Sequence, residues 1–218
     1  TCAIKHKALC SRSRLAHEGI SRLTHRPDAI LQIGGLFSPG STDIPYATYN
    51  DFTTALAARE YPPWAPFPSA MACKRWYDLE TQLYRDAARV LTLSNHTRRS
   101  MISDYGVPEA NVKTVGAGGN FTSVPERTAP YDGRTVVFVG LDFERKGGRT
   151  LLHAFEKVRC ARPDARLLIA GPELAAAPPG VTCFGEVRDR EALLELYQQA
   201  SVFAMPSLCE PFGFVFLE

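Results

Sequence analysis

Two acidic residues, Glu210 and Glu218, stand eight positions apart in "EPFGFVFLE", the last stretch of this 218-residue chain. Between them lie Pro211, which suits the first turn of a helix, and Gly213, which lets backbone approach a ligand closely. Phe212 and Phe214 flank that glycine. A carboxylate accepts hydrogen bonds from the vicinal hydroxyls of a sugar or ribose, and the amides at a helix N-terminus attract phosphate. A molecule with sugar, diphosphate and ribose would find complementary groups here. A plain helix N-terminus with favourable acidic residues fits the same pattern, and the residues alone leave both readings open. The second stretch is "VVFVGLDFERKGGRTLL", where a strand ends at Gly140 and a loop carries Arg145 and Lys146 before two glycines lead into a helix. In open α/β sheets ligands sit beyond the carboxyl ends of strands, and a helix start attracts phosphate. The glycine spacing fits neither the dinucleotide fingerprint nor a P-loop. A solvated basic loop with a glycine cap is the competing reading.

The elements around these stretches alternate. "RTVVFVG", "ARLLIAG", "VTCFGEV" and "SVFAMPS" read as strands. Leu151, Leu152, Phe155 and Val158 mark a helix by their spacing, and Asp189 can cap another in which Leu193, Leu194 and Tyr197 face inward. Strand and helix repeated in such units imply a parallel sheet with crossover helices. The first half follows suit less regularly. "DAILQIGG", "IPYATYN", "RVLTLS" and "NVKTVGAG" read as strands, a long helix carries Trp76, Leu79, Leu83, Tyr84 and Ala87 on one face, and Ser94 can cap the helix after the third strand. "FTSVPERTAPYDG" has no periodicity and reads as a linker. The expected division is 1–122, a linker at 123–133, and 134–218.

Composition excludes several classes. With 45% hydrophobic and 22% charged residues the chain reads as globular, and a net charge of +2 does not favour nucleic acid as partner. No apolar run approaches a membrane span, and the basic N-terminus lacks the apolar centre of a signal peptide. The six cysteines form no C-x-x-C pair and read as free thiols in a reducing cytoplasm. No D-x-D motif is present to hold a metal, and no cofactor is expected. The sequons at Asn95 and Asn120 read as chance matches. His17, His25 and His153 read as surface residues, and His96, at a helix start, has no better case for a role.

The ordered motifs "FVGLDFERKGG", "LLHAFEKVR", "PDARLLIAGP", "FGEV" and "PSLCEPFGFVFLE" resemble the retaining glycosyltransferases of family 4, which have the GT-B fold. The resemblance covers 134–218, and "LSNHTRRSMISDYGVPEANVKTVGAGGN" is similar to the close of that family's first domain. It implies an α/β chain of two Rossmann-like parallel-sheet units and a nucleotide-diphosphate sugar as donor, with no metal required. The acceptor would be a saccharide, a lipid or a small molecule. By the same resemblance Glu210 would contact the donor sugar and Glu218 the ribose. Backbone from Pro211 through Phe212 and Gly213 to Phe214 would lie along sugar and diphosphate. Lys146 would neutralise the departing diphosphate, and Val187 would lie beside the base. Many relatives place an Arg where this chain has Leu141, so Arg145 is expected to take part of that role. Relatives also often place a His where this chain has Asn50 and Asp51. Asn50 is therefore a candidate sugar-facing residue. Asp51 is a candidate polar contact or base, or else a helix cap.

Both units read as incomplete, because the first opens on a basic amphipathic helix and the second stops at a helix start. A fragment with little activity of its own is the expectation, in the cytoplasm, with peripheral membrane association if the acceptor is a lipid. The rival readings are a non-catalytic nucleotide-sugar-binding module and a GT-B epimerase or phosphorylase.

Overall fold

The computed structural model describes residues 2–39, 43–121, 126, 130–174 and 176–218. Most of the expected linker, at 122–125 and 127–129, lies outside the described residues. The chain divides into two compact units, Thr1–Gly118 and Gly119–Glu218.

In the first unit, α1 (Cys2–Ser21) precedes β1 (Ile30–Ile33) and β2 (Tyr46–Asn50). Then come α2 (Thr54–Glu60), α3 (Ala70–Asp86), β3 (Arg89–Thr92), α4 (Asn95–Ser103) and β4 (Val112–Thr114). The four strands pair in chain order, all parallel. Tyr46, Leu83, Tyr84, Val90, Met101, Tyr105 and Val112 form the core. Ser94 caps α4 as its position predicts, accepting from the Thr97 amide at 3.1 Å. Asp51 does not cap α2. Thr53 takes that role, with extended backbone and a hydroxyl that accepts from the Leu56 amide at 3.1 Å. On α3 the buried face holds Trp76, Glu80, Leu83 and Tyr84, so a carboxylate sits inside a face expected to be apolar throughout.

In the second unit, β5 (Thr135–Val139) leads through α5 (Gly148–Ala161) to β6 (Arg166–Ala170) and β7 (Val181–Cys183). The chain then returns through α6 (Arg190–Gln199) to β8 (Val202–Phe203). The sheet order is β7-β6-β5-β8, all parallel. Alternate residues of β5 and β6 fill two cores. Phe138, Leu167 and Ile169 pack with Leu151 and Phe155 of α5, while Val137, Leu168 and Ala170 pack with Leu196 and Ala200 near α6. A strand buried on both faces needs the near-continuous apolar run seen in the sequence. Asp189 caps α6 by accepting from the Glu191 amide at 3.3 Å. The residue of α6 most deeply buried is Leu196 rather than Leu194. Asp132 ties the start of β5 to its neighbours. Its carboxylate accepts from the Thr135 hydroxyl at 2.6 Å, the Ser201 hydroxyl at 2.7 Å and Arg166 at 3.1 Å.

The order matters for function. From β5 the chain builds outward on one side and then crosses back to β8 on the other. The switch point lies between the carboxyl ends of β5 and β8, where open α/β sheets form their crevice.

Candidate functional site

The loops after β5 and β8 carry Lys146 and Glu210. The Lys146 stem crosses Gly140, the first residue after β5, where any Cβ would collide with it. Gly147 then turns left-handed, with φ 76°, to cap α5, and a side chain there would run into the Pro206 carbonyl. These close approaches hold the two loops together. The Lys146 ammonium stands 3.8 Å from Glu210 Oε2 and donates to Met205 Sδ at 3.5 Å. Both side chains are largely buried yet keep an opening, at 16% and 20% exposure. Past Gly147, the Gly148 amide donates to the Phe143 carbonyl at 2.8 Å, and the helix dipole adds a partial positive charge at this end of α5.

Arg145, expected to share in the donor contact, is engaged within the protein. Its guanidinium is buried and turned inward. Nε donates to Asp142 Oδ2 at 2.9 Å, and Nη1 donates to the Cys209 carbonyl at 2.7 Å and to Glu210 Oε2 at 3.3 Å. The Arg145 carbonyl accepts from the Leu208 amide at 2.8 Å. Desolvating a guanidinium is costly without such a set of acceptors, which explains the inward orientation. Leu141 is 61% exposed.

Beyond Glu210 the chain does not enter an α-helix. Pro211 and Phe212 lie in a bend, Gly213 is left-handed with φ 79°, and Phe214–Phe216 form one 3-10 turn. A three-residue segment has too few backbone bonds to offset the nucleation of an α-helix. The Phe212 and Phe214 rings meet edge to face with centroids 5.2 Å apart, and Phe216 packs on Phe203. Glu218 follows, its Oε1 accepting from the Asn120 side-chain Nδ2 at 2.6 Å and its Oε2 from the Tyr197 hydroxyl at 3.3 Å. Arg190 donates to the Asn120 carbonyl. Burial pushes the Tyr197 hydroxyl well above its ordinary value, and the Glu218 charge adds to the effect. Val187, after β7, is half-buried against the α6-side core.

The second unit therefore brings Lys146, Glu210 and Arg145 together and holds Glu218 in a separate cluster with Asn120 and Tyr197. Asn50 and Asp51 belong to the first unit. Asn50 is buried at the end of β2, donating to the Thr48 hydroxyl at 2.9 Å, while its Oδ1 has no hydrogen-bond partner among the described residues. Asp51 is exposed, and its backbone carbonyl accepts from the Thr97 hydroxyl at 2.6 Å. Sequence reasoning missed Asp142, Asn120 and Tyr197. Asp142, an acid three residues before a loop arginine, is the one that spacing could have flagged. Among the described residues no group of three or more His, Cys, Asp or Glu could hold a metal ion. Nor is any helix among them long and apolar enough to cross a membrane.

The fold is α/β with parallel-sheet units and matches GT-B glycosyltransferase structures. Residues 133–218, the unit that contains Lys146 and Glu210, match the family described as glycosyl transferases group 1. Among solved structures, the chain is similar to an α,α-trehalose-phosphate synthase (UDP-forming) from Burkholderia vietnamiensis. The identity is 12% and the TM-score 0.66, over 96% of this chain and 60% of that one. It is similar to TarM at 12% identity and TM-score 0.63, over 89% and 40%. It is also similar to the glycotransferase of kitacinnamycin at 18% identity and TM-score 0.56, over 93% and 57%. The chain thus spans less than two thirds of the length of these structures. No curated protein matches it.

Proposed function

We propose that the second unit binds a nucleotide-diphosphate sugar and that the protein transfers the sugar to a hydroxyl acceptor with retention of configuration. The observation that carries this reading is the meeting of Lys146 and Glu210 at the switch point between β5 and β8, beside the glycine-capped start of α5. The family match over 133–218 supports it. In this reading the bond from the anomeric carbon to the diphosphate oxygen breaks, and its electron pair leaves on the diphosphate. Lys146 and the first-turn amides of α5 stabilise that charge. Glu210 accepts hydrogen bonds from the sugar hydroxyls and fixes the ring. The acceptor oxygen forms the new bond on the same face, and its proton passes to the leaving group. Glu218 orients the ribose, and Val187 borders the base. No metal is invoked, because Lys146 supplies the positive charge. The acceptor is a saccharide, a lipid or a small molecule. A cytoplasmic setting, peripheral to the membrane for a lipid acceptor, belongs to the same proposal.

A second reading, a nucleotide-sugar-binding module without turnover, is favoured by the exposed Leu141 and by the inward Arg145, which leave Lys146 as the cation facing the donor. Release of nucleoside diphosphate from UDP-, GDP- and ADP-sugars, with and without candidate acceptors, separates the two. Transfer lost in Lys146→Ala and Glu210→Ala is expected. Turnover unchanged in both variants overturns the site, and binding without turnover for every donor and acceptor supports the module.

A further inference from the structure

We infer that Arg145 is a positioning residue that holds Glu210 in its sugar-binding pose, with Asp142 as its orienting partner, and that it makes no contact with the diphosphate; this rests on the donor-site reading above. Three observations carry it. The Arg145 side chain is only 9% exposed, so it is packed within the protein. Its fork is spent across two loops, with Nε on Asp142 and Nη1 shared between the Cys209 carbonyl and Glu210 Oε2. The backbone repeats the tie, because the Leu208 amide donates to the Arg145 carbonyl at 2.8 Å.

The consequence concerns Lys146. Glu210 Oε2 lies 3.3 Å from Arg145 Nη1 and 3.8 Å from the Lys146 ammonium. Arg145 thus meets the carboxylate's need for a close cation, and Lys146 is left at a distance from which its ammonium can turn to an incoming diphosphate. Without Arg145 the carboxylate would draw Lys146 into a closed ion pair. Sugar recognition and diphosphate neutralisation would then be lost together, though only the first depends on how Glu210 is aimed. A lysine cannot replace the fork, because a point charge reaches one acceptor where the guanidinium reaches three.

The test is isothermal titration of Arg145→Gln, Arg145→Lys and Asp142→Asn with matched pairs: UDP and UDP-glucose, GDP and GDP-mannose, ADP and ADP-glucose. The pair that wild type binds is used. The expected result is that Arg145→Gln weakens the sugar nucleotide about tenfold more than the bare diphosphate, the size of one lost charge-assisted hydrogen bond. Arg145→Lys fails to restore the difference, and Asp142→Asn shows a smaller shift of the same sign. Equal weakening of both ligands, rescued by Arg145→Lys, assigns Arg145 to the diphosphate and overturns the inference. If Arg145→Gln does not fold, the exposed Asp142→Asn decides, and no change in its ratio overturns the inference. Wild type that binds no pair overturns the donor-site reading itself, a result distinct from wild type that binds while the variants match it.

Discussion

Glu80 on α3 is buried with a full set of donors around it, and its replacement tests how the first unit is held together. The Thr54 hydroxyl donates to Oε1 at 2.8 Å and the Tyr105 hydroxyl to Oε2 at 2.6 Å. Behind them, Trp76 Nε1 donates to Thr54 at 3.0 Å and the Ala55 amide donates to Tyr105 at 3.0 Å. Glu80→Ala leaves two buried hydroxyls without acceptors, at about 1–3 kcal/mol each, so about 2–6 kcal/mol together. Glu80→Gln keeps one acceptor oxygen, and its amide can donate to the other hydroxyl, so it costs about 1 kcal/mol or less near neutral pH. Burial raises the Glu80 carboxyl above its ordinary value, and the hydrogen bonds from Tyr105, Thr54, Trp76 and Tyr84 offset that only in part. The native state therefore holds the proton more tightly than the unfolded chain does. The contribution to stability is complete below the ordinary carboxyl range and is lost as pH rises from there through the raised value, with a slope of at most about 1.4 kcal/mol per pH unit. Urea unfolding of wild type and both variants across that range is the assay. Glu80→Gln should lack the Glu80 contribution, so its stability should fall less with rising pH than that of wild type. Identical slopes in wild type and Glu80→Gln, or an alanine variant as stable as wild type, would refute the reasoning.

Three further outcomes follow from the second unit. Asp132 is held well below the usual carboxylate range, first by the Thr135 hydroxyl, then by the Arg134 amide and the Ser201 hydroxyl. Asp132→Asn should lower the melting temperature, and the gap to wild type should close as pH falls below about 4, where the unfolded carboxyl protonates. A gap that widens on acidification would contradict this. Gly147→Ala should destabilise by at least about 1–2 kcal/mol in chemical denaturation, because its backbone is left-handed and its Cβ meets the Pro206 carbonyl. Glu218→Gln should cut the preference for UDP, GDP or ADP over the 2′-deoxy form about fivefold, the size of one hydrogen bond. An unchanged ratio in competition titrations would remove Glu218 from the ribose.

The two units were not equally legible in the sequence. β5, α5 and β6 were plain, because strands buried on both faces must be apolar throughout and α5 repeats its apolar residues at helical spacing. The caps at Ser94 and Asp189 were legible from local chemistry alone. The cap of α2 was not, because Asp51 and Thr53 are both good caps and the backbone chooses between them. Glu80 escaped because a carboxylate on a helix is normally solvated, and only the surrounding hydroxyls, from α2 and from beyond α4, make its burial tolerable. The inward turn of Arg145 was equally hidden. Its partner Glu210 is 65 residues away, and the Cys209 carbonyl that it satisfies leaves no mark on residue type. Motif order and strand ends single out Lys146 and Glu210 as candidates, and their closeness follows from β5 and β8 being neighbours.

The most direct test of the central claim is a titration of the isotope-labelled protein with UDP, GDP and ADP, followed by amide NMR. Shifts are expected to concentrate at Gly147, Gly148 and Arg149 and from Phe212 to Phe214, and to be abolished in Lys146→Ala. Saturable shifts confined to residues of β1–β4, or none with any of the three nucleotides, would contradict the claim.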